Sequence, residues 1–207
     1  MKKKITIFGS TGSVGKSTLD IFEHHKDKFE LVGLTINKNY KELFSQIKKF
    51  KPKVVSIRDE TAYKNFKAEY SNLDVVVFGG RNSLLEILDY ETDFIMAGIV
   101  GSAGLPPIFE AAKRGINIGL ANKESLVCSG KILKSVIRKN NCRLIPIDSE
   151  HNAIFQVLDS KNRSKVSKLI LTASGGPFLN KETKDLVDIT PEQAVKHPNW
   201  SMGKKIS

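Results

Sequence analysis

Short apolar runs recur along the first 150 residues of the chain, and segments with helical spacing of apolar residues separate them. Each run has the length of a strand, and most are rich in β-branched or aromatic side chains, which favours buried β-strands. The runs occupy residues 5–8, 30–36, 54–57, 74–78, 94–97, 117–120 and 143–147. Strands that alternate with helices need crossover connections, so the pattern predicts a doubly wound parallel sheet of the α/β class.

The alternation of strand-like and helical segments changes after Glu150. Residues 151–158 have helical spacing, residues 168–173 form one more strand-like run, and Thr190 before Pro191 is typical of an N-cap at a helix start. One strand without a partner cannot build a core. We therefore predict two domains, the sheet domain over residues 1–150 and an incomplete α+β domain over residues 151–207.

The composition sets limits on the partners of the chain. Its net charge of +11 favours anionic partners such as phosphorylated small molecules. No Lys/Arg run exceeds three residues and no aromatic-rich RNA-binding signature occurs, so we expect no nucleic acid. No apolar run has transmembrane or signal-peptide length, so we expect no membrane association. Cys128 and Cys142 lack a paired spacing, which fits a reducing, cytoplasmic location.

A glycine-rich loop follows the first predicted strand, with Gly9, Gly12 and Gly15 three residues apart. Residues 15–17 (GKS) resemble the end of a P-loop, but that motif needs a glycine where this chain has Ser10. The GxxGxxG period is instead typical of dinucleotide-binding loops in Rossmann-like domains, where the backbone and a helix N-terminus approach the pyrophosphate. We therefore predict a dinucleotide rather than a nucleoside triphosphate.

The turn after the second predicted strand bears on the choice of cofactor. Residues 37–39 (NKN) contain no carboxylate that could hold the ribose hydroxyls of NAD. Lys38 beside a 2′-phosphate would favour NADPH. A solvated turn lysine in a lysine-rich chain is an equally good interpretation, and the sequence leaves both open.

Two carboxylates follow the last predicted strand of the sheet domain. If the chain stays extended there, Asp148 and Glu150 project to one side and Ser149 to the other. Two hard oxygen ligands at the carboxyl end of a strand could hold Mg²⁺ or Mn²⁺ beside a substrate. The alternative is an ordinary acidic turn that closes a strand.

Several stretches together are similar to one enzyme family. They are residues 9–15 (GSTGSVG), 121–126 (ANKESL), 148–156 (DSEHNAIFQ), 174–178 (SGGPF) and 197–203 (HPNWSMG). Over residues 5–207 the chain resembles the 1-deoxy-D-xylulose 5-phosphate reductoisomerases. The resemblance implies an NADPH- and metal-dependent enzyme that makes 2-C-methyl-D-erythritol 4-phosphate in the non-mevalonate route to isoprenoid precursors. It also implies a retro-aldol and re-aldol rearrangement, followed by hydride transfer from NADPH.

The same resemblance implies roles for individual residues. The implied contacts to NADPH are Thr11, Gly12, Ser13, Val14, Asn37, Lys38, Asn39, Asn122, Glu124 and Gly203. The implied contacts to the phosphorylated substrate are Lys123, Ser149, Glu150, Ser174, His197, Trp200 and Met202. Asp148 and Glu150 are the implied ligands of Mg²⁺ or Mn²⁺, with Co²⁺ as a further candidate, and with Lys123 they form the implied catalytic set. Residues 200–203 are implied to belong to a flexible loop that closes over the site.

The chain also departs from the family. Family members continue with a further metal-binding Glu, more phosphate-binding residues, the rest of the catalytic domain and a helical C-terminal domain. Two carboxylates leave a hard cation under-coordinated, so we expect a truncated or split form that is inactive alone. The resemblance implies a homodimer for the complete enzyme. A non-catalytic dinucleotide-binding module, or a fragment that needs a partner chain, is the alternative.

Overall fold

The computed structural model describes residues 1–71, 73–159, 161–173 and 175–198. The chain divides into two compact units, Met1–Gln156 and Val157–Ser207. Within the described ranges, no helix has the length and apolar character needed to cross a membrane.

The first unit contains a seven-stranded sheet in which every neighbouring pair is parallel. Its strands are β1 (Lys3–Phe8), β2 (Phe29–Ile36), β3 (Val54–Ile57), β4 (Val76–Gly79), β5 (Phe94–Ala97), β6 (Asn117–Leu120) and β7 (Leu144–Pro146). They lie in the order β4-β3-β2-β1-β5-β6-β7. The predicted doubly wound α/β sheet is therefore confirmed.

Helices cover both faces of this sheet. They are α1 (Ser13–His24), α2 (Tyr40–Phe50), α3 (Glu60–Glu69), α4 (Ser83–Glu86), α5 (Leu105–Lys113) and α6 (Glu124–Lys139). A further helix, α7 (Ser149–Val157), follows β7 and has no buried residue. Ile7 of β1 packs in one buried cluster with residues of α1, α2 and α3. Its neighbour Phe8 packs in the other cluster, with residues of α5 and α6. Successive strand residues point to opposite faces, so both faces of the sheet are apolar and both are covered.

The order of the strands determines where a ligand-binding crevice can form. The chain runs outward from β1 to β4, then returns to β5 on the other side of β1. Loops that leave β1 and β5 therefore diverge at the carboxyl edge of the sheet, where ligands bind in open α/β folds. The glycine loop, residues 37–39, residues 121–124 and Asp148 all follow the carboxyl ends of strands, so they lie at this edge.

The second unit has little regular structure among its described residues. It has two 3₁₀ turns, Arg163–Lys165 and Thr183–Leu186, and a short helix α8 (Pro191–Ala194). The predicted strand over residues 168–173 is wrong: Leu169, Ile170 and Leu171 are each more than 60% exposed. A strand needs a neighbour to satisfy its backbone, and no described segment pairs with this one. The predicted helix start is confirmed, with Thr190 and Gln193 forming a capping box.

Candidate nucleotide and metal site at the carboxyl edge of the sheet

The glycine loop folds back on itself directly after β1. The N–H groups of Gly9 and Ser10 donate to the carbonyl of Thr35, at 3.0 and 2.9 Å, and this holds the loop against β2. Gly9 has a φ of +81°, which favours glycine. A Cβ on Gly15 would collide with Gly9 O and lie 2.5 Å from the Ser10 Cα. Glycine at position 15 thus allows the start of α1 to pack onto the loop.

Ser10 is anchored to α2 rather than placed in a phosphate loop. Its hydroxyl donates to Gln46 Oε1 at 2.7 Å, and Gln46 Nε2 donates to the carbonyl of Ser10 at 3.0 Å. Both side chains are buried. A P-loop has a glycine here so that the backbone can wrap a phosphate, and this reciprocal pair shows a structural role for the serine instead.

Four residues of the loop form its outer surface. Gly12 and Ser13 are exposed, while Thr11 and Val14 are half-buried. Gly12 precedes α1, and no side chain caps the first turn of this helix. Its first N–H groups are consequently available to an anion such as a pyrophosphate.

Asn122, two residues after β6, has a side-chain acceptor without a partner among the described residues. Its side chain is nearly fully buried, and Nδ2 donates to the carbonyls of Ile99 and Gly101 at 2.6 and 2.7 Å. Its Oδ1 is buried and has no partner among the described residues. Buried acceptors are seldom left unpaired, so a donor group of a bound nucleotide fits this position. Glu124, two residues on, is half-buried in the first turn of α6.

The turn after β2 is exposed throughout residues 37–39. Asn39 caps α2, since its side chain accepts a hydrogen bond from the Glu42 N–H. Lys38 is 73% exposed, and its Nζ lies 3.7 Å from Asp59 Oδ2. Asn37 has no positive φ, so the turn forms without a left-handed residue.

Lys123 and Asp148 form the closest charged pair at this edge. Lys123 Nζ lies 2.6 Å from Asp148 Oδ2, and His151 Nδ1 lies 3.5 Å from Asp148 Oδ1. Burial alone would raise the pKa of the Asp148 carboxyl, but the hydrogen bond and charge of Lys123 outweigh it and the pKa lies below its usual value. The same hydrogen bond raises the pKa of Lys123. At neutral pH the pair is therefore a carboxylate beside an ammonium.

The chain does not stay extended after Asp148, so the condition under which Asp148 and Glu150 would project to one side is not met. Helix α7 begins at Ser149, since the Asn152 N–H donates to the Asp148 carbonyl at 2.8 Å and Asn152 Nδ2 donates to the Pro146 carbonyl at 2.6 Å. These bonds turn the chain into a helix at once. Glu150 follows two residues after Asp148, in the first turn of this helix. Ser149 is exposed at the helix start.

Asp148 and Glu150 have the oxygen atoms that a hard cation prefers, but two carboxylates do not complete its coordination sphere. Asp148 and Glu150 offer oxygen ligands of the kind that Mg²⁺ and Mn²⁺ prefer. Within the described ranges, no group of three or more Asp, Glu, His or Cys side chains could hold a metal ion. Waters or further ligands would have to complete the coordination.

The remaining predicted substrate and loop residues belong to the second unit. His197 is buried there, 9% exposed. Ser174, Trp200, Met202 and Gly203 lie outside the described residues.

Residues that the sequence did not single out also shape the site. Thr35 and Gln46 hold the glycine loop in place, as described above. Arg58 and Arg81 line a cavity at the same edge of the sheet. Arg58 is the first residue after β3, and a search for charged residues at strand ends could have found it.

The sheet and its first loop define a doubly wound, Rossmann-like domain. The family model described as 1-deoxy-D-xylulose 5-phosphate reductoisomerase matches residues 5–130, and that of the C-terminal domain of the same enzyme matches residues 144–207. The chain belongs to the 1-deoxy-D-xylulose 5-phosphate reductoisomerase family.

Curated relatives carry the same family name. The enzyme of Caldanaerobacter subterraneus subsp. tengcongensis is 49% identical over 207 residues, which are 99% of this chain and 53% of that protein. A Rhizobium etli enzyme is 46% identical over 99% of this chain and 52% of its own length. The chain thus spans about half the length of the curated relatives it matches.

Solved structures of this enzyme share the fold. The Zymomonas mobilis reductoisomerase in complex with NADPH has a TM-score of 0.89 and 39% identity, over 96% of this chain and 52% of that one. A DOX-P reductoisomerase in complex with NADPH, fosmidomycin and magnesium has a TM-score of 0.84 and 36% identity, over 98% and 52%.

Proposed function

We propose that this chain supplies the NADPH-binding domain, and part of the metal and substrate site, of an enzyme that converts 1-deoxy-D-xylulose 5-phosphate to 2-C-methyl-D-erythritol 4-phosphate. The proposal rests on the position of three features at the same edge of the sheet. The glycine loop, the unpaired Asn122 acceptor and the Lys123–Asp148 pair all follow strands at one edge of the sheet. Related structures hold NADPH and magnesium, which supports the assignment.

In this proposal the glycine loop binds the pyrophosphate of NADPH. The backbone of residues 11–14 and the uncapped start of α1 would face its negative charge. Asn122 would accept a hydrogen bond from the nucleotide, and Glu124, Asn37, Lys38 and Asn39 would complete the contacts. NADPH supplies a hydride when it is bound, and the protein orients it.

Asp148 and Glu150 would hold Mg²⁺, Mn²⁺ or Co²⁺ together with ligands from elsewhere. Such a cation polarises a carbonyl oxygen and stabilises negative charge. Lys123 is an ammonium at neutral pH, and its hydrogen bond with Asp148 raises its pKa further, so it can bind an anionic or hydroxyl oxygen of the substrate. Ser149, Ser174, His197, Trp200 and Met202 remain proposed substrate contacts, and Gly203 a proposed cofactor contact.

The test is a chimera in which residues 1–207 replace the matching half of the Caldanaerobacter relative. We expect NADPH oxidation that depends on 1-deoxy-D-xylulose 5-phosphate and Mg²⁺. Asp148→Asn and Glu150→Gln should each lower turnover by about 10²-fold or more while NADPH binding stays intact, because a metal ligand is lost. Asp27→Asn, which removes a carboxylate from an exposed turn, is the matched control. Normal turnover in both site variants would contradict the proposal.

A non-catalytic dinucleotide-binding module is the second candidate. The described residues provide only two of the carboxylates that a metal cage needs, which favours this alternative for the chain by itself. It predicts nucleotide affinity without dependence on Asp148 or Glu150 and no turnover in the chimera. Efficient NADPH turnover by residues 1–207 alone would exclude it. A cytoplasmic location and a homodimer for the complete enzyme also belong to the proposal, and both rest on the cysteine pattern and the resemblance.

A further inference from the structure

A cavity of about 460 Å³ opens at the amino edge of the sheet, opposite to the glycine loop. Lys2 lines it directly before β1, Phe29 is the first residue of β2, and Lys53 directly precedes β3. Phe22 of α1 and Phe50, the last residue of α2, also line it. The length of the strands therefore separates this cavity from the candidate nucleotide and metal site.

The rim of the cavity is basic. Five lysines line it: Lys2, Lys26, Lys49, Lys51 and Lys53. Glu30 is the only carboxylate among the described residues that line it, and it pairs with Lys53 at 2.6 Å. Lys49 pairs with Glu23, also at 2.6 Å, and the other three lysines form no ion pair within the part of the chain that the structure describes. Three unpaired ammonium groups around one cavity attract an anion.

The floor of the cavity is aromatic. Phe22 is buried and meets Phe50 edge to face, with the ring centroids 6.1 Å apart. Phe29 and Phe50 are only half-buried, so part of each ring remains open to a ligand. The apolar body of a ligand can lie on these rings while the lysines of the rim reach its charged end.

Lys51 adopts a backbone conformation that glycine usually occupies at a helix end. It follows α2 with a φ of 50° and a ψ of 56°, and its N–H donates to the Ile47 carbonyl at 2.9 Å. A side chain at such a position is strained, and strained residues are concentrated at ligand sites. A cation here also complements the helix dipole, but Lys48 and Lys49 already do so in the last turn of α2. The strain therefore indicates a use for the Lys51 side chain beyond the fold.

We propose that this cavity is a second ligand site, and that it binds a small phosphate monoester with an apolar body. A phosphate monoester carries nearly two negative charges at neutral pH, so a rim of several ammonium groups suits it better than it suits a carboxylate. The volume lies within the range of about 300–1,000 Å³ that is usual for small-molecule sites. The inference does not rest on the proposed function, because the two sites lie at opposite edges of the sheet.

Calorimetric titration of the purified chain with phenyl phosphate, inorganic phosphate and phenol tests the two parts of the site. We expect phenyl phosphate to bind at least about tenfold more tightly than either of the others, because it alone uses both the rim and the floor. Lys2→Gln and Lys51→Gln should each weaken it about three- to tenfold, since one ammonium is lost from a partly exposed site. Lys64→Gln, which removes an exposed lysine of α3, is the matched control and should bind like wild type.

Lys51→Gly separates binding from stability. Glycine adopts the left-handed conformation without strain, so this variant should unfold at a higher temperature than wild type. It should nevertheless weaken phenyl phosphate as much as Lys51→Gln does. A lower unfolding temperature together with unchanged binding would show that Lys51 serves the fold alone, and would contradict the inference.

The remaining outcomes concern the location of the ligand. If phenyl phosphate shows no saturable binding, or binds equally well to wild type and to both glutamine variants, the inference is wrong. If Gly15→Ala weakens it and the lysine variants do not, the phosphate has bound at the glycine loop and the inference is again wrong. None of these measurements uses NADPH, so the proposed function stands or falls separately.

Discussion

Gly15 is enclosed by the loop that precedes it, with Gly9 O and the Ser10 Cα where a side chain would be. The glycine spacing in the sequence predicted such a close approach, because a three-residue period after a strand has few other uses. The sequence did not reveal the partners that fix the loop. Gln46 lies 36 residues from Ser10, and only the packing of α2 on the sheet brings the two together.

Cys142 provides a pH-dependent prediction at the scale of one residue. Burial raises the pKa of its thiol above the ordinary value of 9.0, and Sγ donates to the carbonyl of Ile116. The neutral thiol therefore stabilises the fold fully below pH 9.0, and this contribution is lost as the pH rises through the folded-state pKa. Denaturant unfolding between pH 7 and about 10.5 should show a steeper loss of stability in wild type than in Cys142→Ala.

The exposed Cys128 is the matched control for that measurement. Cys128→Ala should follow the wild-type curve across the pH range. If wild type and Cys142→Ala lose stability in parallel, the burial argument for Cys142 is contradicted.

Among the helices and strands, α3 has an N-cap residue, Asp59, that we expect to affect both the stability of the fold and the choice of cofactor. Asp59 accepts a hydrogen bond from the Ala62 N–H at 2.9 Å and also faces Lys38. Asp59→Ala should cost about 1 kcal/mol of stability, whereas Asp59→Asn should cost only a few tenths, since asparagine caps equally well. Both changes remove a negative charge beside Lys38, the predicted partner of a 2′-phosphate, so both should increase the preference for NADPH over NADH.

Thermal unfolding and paired titrations with NADPH and NADH measure the two effects of the Asp59 variants separately. Equal destabilisation by Asp59→Ala and Asp59→Asn would contradict the capping role. An unchanged cofactor preference in both variants would contradict the electrostatic role.

The helices and strands also show where a sequence pattern is enough to predict secondary structure. The apolar run at residues 54–57 is a strand, as predicted, because parallel strands that are buried on both faces are apolar throughout. Residues 168–173 have the same character but form no strand, since strand formation needs a partner that the pattern cannot supply. Asp148 and Glu150 lie at a helix start rather than in an extended chain, and the Asn152 side chain favours this by donating to the Pro146 carbonyl.

For the whole molecule, strand order rather than proximity in sequence assembles the site. The glycine loop and Asp148 are more than 130 residues apart, yet both follow strands of one parallel sheet. The alternation of strands and helices predicted that common edge. The cavity lined by Arg58 and Arg81 could not be foreseen, because it depends on how α4 packs against β3, β4 and α5.

The central claim is that the glycine loop binds a dinucleotide, and titration of the purified chain with NADPH, NADH and ATP tests it. We expect saturable binding of NADPH, weaker binding of NADH and none of ATP. Gly15→Ala should weaken NADPH at least about tenfold, because its methyl group displaces the loop backbone and such overpacking costs about 1–3 kcal/mol.

Gly130→Ala is the matched control for this titration, since its nearest neighbour would be the Lys134 side chain at 4.0 Å, and it should bind like wild type. Loss of NADPH binding in Gly15→Ala alone, with circular dichroism unchanged, is the result that the account predicts. Binding of ATP alone, or NADPH binding that is equal in wild type and Gly15→Ala, would contradict it.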